Sequence, residues 1–350
     1  MSRIVEPTRL PFDPPISRLV TDGKHNLGTF SRPVEHLNQL DAESSIPRAI
    51  RNLQLKEWQA FQITNGEWFL CGAVYSAKLL GLVQLIATHL PSGRIFRWLH
   101  RVPAWKVSVA QGLSGTTSTG EAAGFSLNIV NEVPSGSLRV SASHAATDSL
   151  PALELTARGY CGPSEAGHLV ISHPFTENTT LYSNKCAMAV QATMQIGEEV
   201  VEFSRDQSVL IMDDHKGQYP APMKYDWVTG ASSSSGKLIA FNLTSNQIQF
   251  PELYNENAVW LGNEVHRLPS VKFTRPGGVR EPWRIADLRG QVDVTFTPLV
   301  SSDIHLGPKR FLAEYYGPYG RFEGNITLAG GEVVSVDGFA GMGEQKFIRF

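Results

Sequence analysis

The chain has 350 residues, 42% of them hydrophobic and only 18% charged, with 31 Lys and Arg against 33 Asp and Glu. That length holds two compact domains or one large β-rich one; the shortage of charge, made up by Ser, Thr, Asn, Gln and Gly, excludes a disordered chain and favours β structure with many turns. A formal net charge of −2 gives no general pull towards phosphate backbones or anionic membranes, so nucleic acid is not an expected partner.

Residues 1–50 are rich in proline and poor in periodicity, which predicts an irregular arm lying over the folded body, with one short helix near Pro33–Leu40. The first fifteen residues carry charges and no apolar core of a signal peptide, and Cys71, Cys161 and Cys186 form no C-x-x-C pair. A reduced, cytoplasmic compartment is the expectation. From Glu57 the texture changes. Trp58–Ile63 and Glu67–Tyr75 flank Asn65-Gly66, the dipeptide of a tight hairpin turn. Lys78–Leu90 mixes helix and strand formers, but its neighbours and the Pro91-Ser92-Gly93 turn favour a strand. It is too short and too interrupted to cross a bilayer, so no integral membrane segment is expected.

Further strand and turn units follow at Ser108–Val109, Gly124–Val130, Gly136–Ser143, Ala152–Ala157 and His168–Ser172. The second half repeats them at Lys185–Ile196, Val200–Met212, Lys224–Thr229, Lys237–Thr244, Ala258–Leu261, Glu264–Leu268, Gln291–Leu299, Phe311–Tyr316, Gly320–Leu328 and Glu332–Phe339. Close spacing with turn chemistry between units is the pattern of all-β barrels or sandwiches and not of βαβ units. The pattern predicts an arm over 1–50, a β domain over 51–178 and a second over 179–350, joined near Pro174–Asn184.

The segments Tyr225-Asp226-Trp227-Val228-Thr229-Gly230, Ala240-Phe241-Asn242-Leu243, Tyr319-Gly320-Arg321-Phe322-Glu323-Gly324 and Asp337–Glu344 carry, in that order, W-x-x-G, A-x-N-L and G-x-F-x-G…G-x-x-E elements. In these the chain resembles the bacterial family catalogued as domain of unknown function 2804. That family is similar in architecture to a two-lipocalin-like-barrel group that includes carotenoid hydratases and fungal Diels–Alder cyclases. The resemblance implies an all-β fold of two lipocalin-like antiparallel barrels packed together, a hydrophobic ligand in or between them, and chemistry without a bound cofactor.

Ionisable residues concentrate at Asp213-Asp214-His215-Lys216 and Lys224-Tyr225-Asp226. Alternation along a strand sends Asp213 and His215 to one face and Asp214 to the other, an acid–imidazole pair suited to moving protons near neutral pH; the same residues also suit a solvated turn. Asp226 shares a face with Lys224 and Val228, opposite Tyr225 and Trp227, and either set can line an interior. With Tyr225 and Trp227 inside, an aromatic or polyene ligand gains a stacking floor. Glu344 is either a site acid or a ladder partner of Lys346 or Arg349. Lys185 is either a desolvated proton carrier or an exposed strand-start lysine. Asn242, Tyr316 and Tyr319 complete the candidate substrate contacts. His168 and His173 fall on opposite faces of one strand, and no metal site is expected. Taken with the resemblance, these residues lead to the expectation of a cofactor-independent lyase or isomerase, catalysing hydration, dehydration, aldol-type cleavage or a double-bond shift on a hydrophobic aromatic or terpenoid molecule. Asp213, His215, Asp226, Glu344 and Lys185 are the expected acid–base groups. The alternative is a non-catalytic carrier of hydrophobic ligands, and a second copy of the chain is the macromolecular partner left open.

Overall fold

The computed structural model describes residues 10–234, 236–307 and 313–349. The first nine residues of the expected arm, Ser235 between the expected strands Lys224–Thr229 and Lys237–Thr244, and Phe311 and Leu312 of the expected strand Phe311–Tyr316 lie outside the described residues. Asn65-Gly66 turns the chain between the strands Lys56–Thr64 and Trp68–Ser76. Gly66 takes φ +91°, a left-handed conformation that favours glycine, and Asn65 Oδ1 accepts the Trp68 N–H at 2.9 Å.

That hairpin belongs to the largest of three antiparallel sheets, of fourteen strands among the described residues; the smallest pairs only Val20–Thr21 with Lys24–His25. Its path runs from Arg94–Pro103 through Leu80–His89, Trp68–Ser76, Lys56–Thr64, Val209–Gly217, Thr180–Ile196, Leu153–Tyr160, Ser137–His144 and Phe125–Glu132 to Ser114–Ala122 and Val107–Ser108. The two ends of this path curl towards each other: a methyl group at Gly120 would lie 2.8 Å from Val83. The second sheet has twelve described strands, with Met223–Ser234, Lys237–Ser245, Ala340–Ile348 and Tyr319–Thr327 at its centre. One sheet is a nearly closed barrel and the other a half-barrel, so the all-β expectation of two packed barrel-like units holds.

The alternation of each strand assigns its two faces. Phe61, Ile63, Val83, Leu85, Met188 and Met212 point into the first sheet's own core, while Val228, Phe241, Phe296 and Phe322 fill the second's. Residues of opposite parity face the other sheet. Two apolar clusters seal that seam, one around Leu169, Ile211, Ala240 and Trp260 and one around Phe69, Ile86, Trp227, Tyr319 and Met342. Trp260 is fully buried there, and its Nε1 donates to Gly167 O at 2.9 Å.

Several expectations are corrected. Thr180–Ile196 and Val209–Gly217 pair with Leu153–Tyr160 and Lys56–Thr64, so the chain passes between sheets after Gly217 and not at 178/179. Val200–Met212 is two strands, Glu199–Phe203 and Val209–Gly217. The helix expected near Pro33–Leu40 gives way to a short 3₁₀ turn at Gln39–Asp41, and the one α-helix among the described residues is Arg48–Gln54, behind Pro47, whose ring suits a helix start. The arm is not wholly irregular: its strand Gly28–Phe30 pairs with Gly167–Pro174.

Candidate active site

A cavity of about 200 Å³ lies in the seam, outside both cores. From the first sheet, Trp58, Ala60, Cys71, Tyr75, Leu82 and Ile86 form one wall; Tyr225, Trp227, Thr244, Ile304, Tyr315 and Ile348 form the opposite one. Two polar clusters face this apolar and aromatic space.

The first cluster is built on paired strands, with Lys185 directly opposite Asp213 and Ser183 opposite His215. The Lys185 ammonium sits where three groups converge: it donates to Asp213 Oδ1 at 2.5 Å, lies 2.9 Å from His215 Nε2, and lies 3.4 Å from Glu256 Oε2. His215 Nε2 is also 2.8 Å from Asp213 Oδ1 and 2.9 Å from Ser183 Oγ, while Nδ1 is 3.2 Å from the Tyr219 hydroxyl. Trp58 stacks on the imidazole, with ring centroids 4.5 Å apart. Burial would raise the Asp213 carboxyl, but His215 and Lys185 outweigh it and hold the group far below the usual carboxylate range. Burial alone would lower the Lys185 ammonium; Asp213 and Glu256 overcome this and raise it.

The second cluster comes from three adjacent strands. Lys346 on Ala340–Ile348 lies between Tyr225 on one neighbour and Tyr315 on the other. Glu344, two residues earlier and therefore on the same face, accepts both phenols diagonally: Tyr225 at 2.8 Å and Tyr315 at 2.6 Å. Lys346 Nζ donates to the Tyr225 hydroxyl at 2.6 Å. Burial, reinforced by Glu344, raises both phenols well above the usual tyrosine range. Cys71, on the facing wall, is pushed up to about 12, chiefly by burial. The clusters meet across Trp58, whose ring touches His215 and has Lys346 Nζ 5.7 Å from its centroid.

The structure thus brings Asp213, His215, Lys185, Glu344, Tyr225 and Trp227 together around one space. It places the others elsewhere. Asp226 points away and pairs with Arg275 at 2.8 Å. Asn242 stands behind the wall, accepting the Trp227 indole N–H at 2.5 Å and donating to Glu256 O. Tyr319 is buried against Phe69. Tyr316 faces opposite to Tyr315, donating to Glu314. Asp214 and Lys216 turn into the first barrel, where Lys216 Nζ donates to Ala110 O. Sequence reasoning missed Trp58, Tyr219, Glu256 and Tyr315 as cavity groups, and named Lys346 only as a ladder partner of Glu344. Glu256 lies in a non-periodic loop with no local signal; Tyr315 and Lys346 could have been found by extending the alternation of Glu344 through its neighbouring strands.

The protein is thus an all-β chain of two apposed sheets with a cavity in their seam that two polar clusters face. A family model described as a domain of unknown function, DUF2804, matches residues 13–350, and the chain belongs to that family. Among solved structures the chain is similar to kievitone hydratase from Nectria haematococca, at 11% identity and TM-score 0.47 over 84% of this chain and 88% of that one. It is also similar to OmpT, an outer membrane protein of Vibrio cholerae, at 10% identity and TM-score 0.13 over 85% and 96%. Curated proteins give no match. Among the described residues no helix is long and apolar enough to cross a membrane.

Proposed function

We propose that the seam cavity is the active site of a lyase or isomerase that hydrates, dehydrates, cleaves or isomerises a hydrophobic aromatic or terpenoid molecule by acid–base catalysis. One observation carries this reading: two separate proton-bearing clusters face one apolar, aromatic-walled space. Trp58, Trp227 and Tyr75 line the space with aromatic surface suited to a hydrophobic substrate. His215, tied through Nε2 to Asp213 and through Nδ1 to Tyr219, is the imidazole assigned the proton-transfer role. Glu344 serves as the complementary base, its carboxylate held at the cavity wall by the O–H donors of Tyr225 and Tyr315. Asp213 and Lys185 hold His215 in place and keep the buried charges paired.

The test is untargeted conversion. A metabolite extract of apolar compounds is treated with wild type, His215→Gln or Glu344→Gln and compared by mass spectrometry. The expected result is a compound that gains or loses water, is cleaved, or changes retention at constant mass, with each variant about 10²–10⁴-fold slower. A compound retained by wild type and variants alike, with no product formed, would establish the carrier alternative.

A further inference from the structure

Lys346 differs from Lys185 and Glu344, two other charged groups of the clusters described above. Lys185 is held by two carboxylates, and Glu344 by two phenols. Among the described residues, by contrast, no carboxylate lies within ion-pair distance of Lys346. Its Nζ has the Tyr225 hydroxyl at 2.6 Å and three ring centroids around it: Tyr225 at 4.8 Å, Tyr315 at 5.6 Å and Trp58 at 5.7 Å. It lines the cavity, so a bound molecule reaches it. A lysine desolvated by apolar walls and left without a counter-ion is the setting in which an amine becomes a nucleophile.

We propose that Lys346 captures a carbonyl-bearing apolar substrate as a covalent imine, so that the cavity takes aldehydes or ketones. This inference rests on the acid–base reading of the same cavity and names its substrate class. The step balances with the groups present. The Lys346 ammonium passes one proton through Tyr225 to Glu344, leaving the free amine. Its lone pair forms a C–N bond to the carbonyl carbon, and a proton shift from nitrogen to oxygen gives the carbinolamine. Glu344, through Tyr225, returns the proton to the hydroxyl, the C–O bond breaks, and water leaves. The product is a protonated imine, with no oxidant or reductant consumed. Such an imine draws electrons from the adjacent carbon, which eases the proton removal or bond cleavage assigned to the cavity.

Burial favours the free amine by pushing the Lys346 ammonium below the usual lysine range, with Glu344 and Asp213 opposing in part. The neighbouring Lys56 is lowered in the same direction, by burial first and then by the charge of Lys346.

The trap is reductive. The full chain is incubated at neutral pH with cinnamaldehyde and sodium cyanoborohydride, digested and mapped by mass spectrometry. Lys346 is expected to acquire the reduced adduct about tenfold or more faster than surface lysines, while Lys185 stays unmodified. Lys346→Arg and Lys346→Met remove this adduct and leave the surface ones; the wild-type map decides the question even if either variant folds poorly. An unmodified Lys346 beside labelled surface lysines overturns the proposal. The two readings fail separately. Loss of turnover in Glu344→Gln with no adduct at Lys346 sinks the imine alone. An adduct at Lys346 with no conversion of any compound sinks the acid–base reading and keeps the imine.

Discussion

Asp213 and Glu256 each approach both the Lys185 ammonium and the His215 imidazole within 3.4 Å, and all four residues are buried. Removing one partner there leaves its neighbours uncompensated, so Asp213→Asn is expected to cost about 3 kcal/mol near pH 7. The sign with pH follows from the lowered Asp213 carboxyl. Its share of stability is present above the unfolded value near pH 4 and is lost as pH falls further. Urea unfolding of wild type and Asp213→Asn should therefore differ strongly at pH 7 and less at pH 3. An equal difference at both would contradict this electrostatic account. Lys346 has the opposite sign: its lowered ammonium destabilises the fold wherever the unfolded lysine is protonated. Lys346→Met is expected to raise the urea midpoint at pH 7 while abolishing the imine adduct, stability and function trading against each other at one position.

At the scale of strands, parity does most of the positioning. Val209–Gly217 is buried at every residue, yet sends Asp213 and His215 to the seam and Asp214 and Lys216 into the barrel. This alternation, the hairpin at Asn65-Gly66 and the all-β class were legible because they are local. The sheet to which Thr180–Ile196 and Val209–Gly217 belong was not, because both pair with strands far off in sequence and no local periodicity reports the partner. Ser114–Ala122, rich in Ser, Thr and Gly, is absent from the expected strands; its buried face meets a polar patch, with Ser118 Oγ donating to Gln59 Oε1 at 2.6 Å. Tyr316 was chosen over Tyr315 because a four-residue strand shows its inward side only through its neighbours. Ala340–Ile348 can carry Glu344 and Lys346 because Gly341 and Gly343 in its first half let it pass close to its neighbours. A methyl at Gly341 would strike the Thr229 carbonyl and the Phe322 ring. Gly341→Ala is expected to cost about 1–3 kcal/mol through overpacking, and to slow turnover by displacing Glu344. Wild-type stability in that variant would show that the strands are spaced more widely than described.

For the molecule as a whole, the seam is an extended interface and not a hinge. Besides the two apolar clusters, Arg321 Nη2 donates to Gly66 O at 3.0 Å and Arg97 Nη2 to Ser301 O at 2.6 Å, each tying one sheet to the other. The sheets should therefore unfold in one transition, with the cavity tryptophans Trp58 and Trp227 reporting it together with far-ultraviolet circular dichroism. Trp260→Ala is expected to lower stability by about 3–5 kcal/mol and to weaken binding in the cavity, although Trp260 does not line it. Two resolved transitions in wild type would show that each sheet stands alone. The separation of the cavity from both hydrophobic cores has a consequence for descent with modification. In a single calyx, the residues that hold the ligand also hold the barrel together, so each change of specificity disturbs the fold. Here Tyr75, Leu82, Ile304 and Ile348 can be exchanged while Phe61, Val83, Phe241 and Phe296 stay as they are. A lineage built on this plan can vary its substrate from one member to the next without first loosening its architecture.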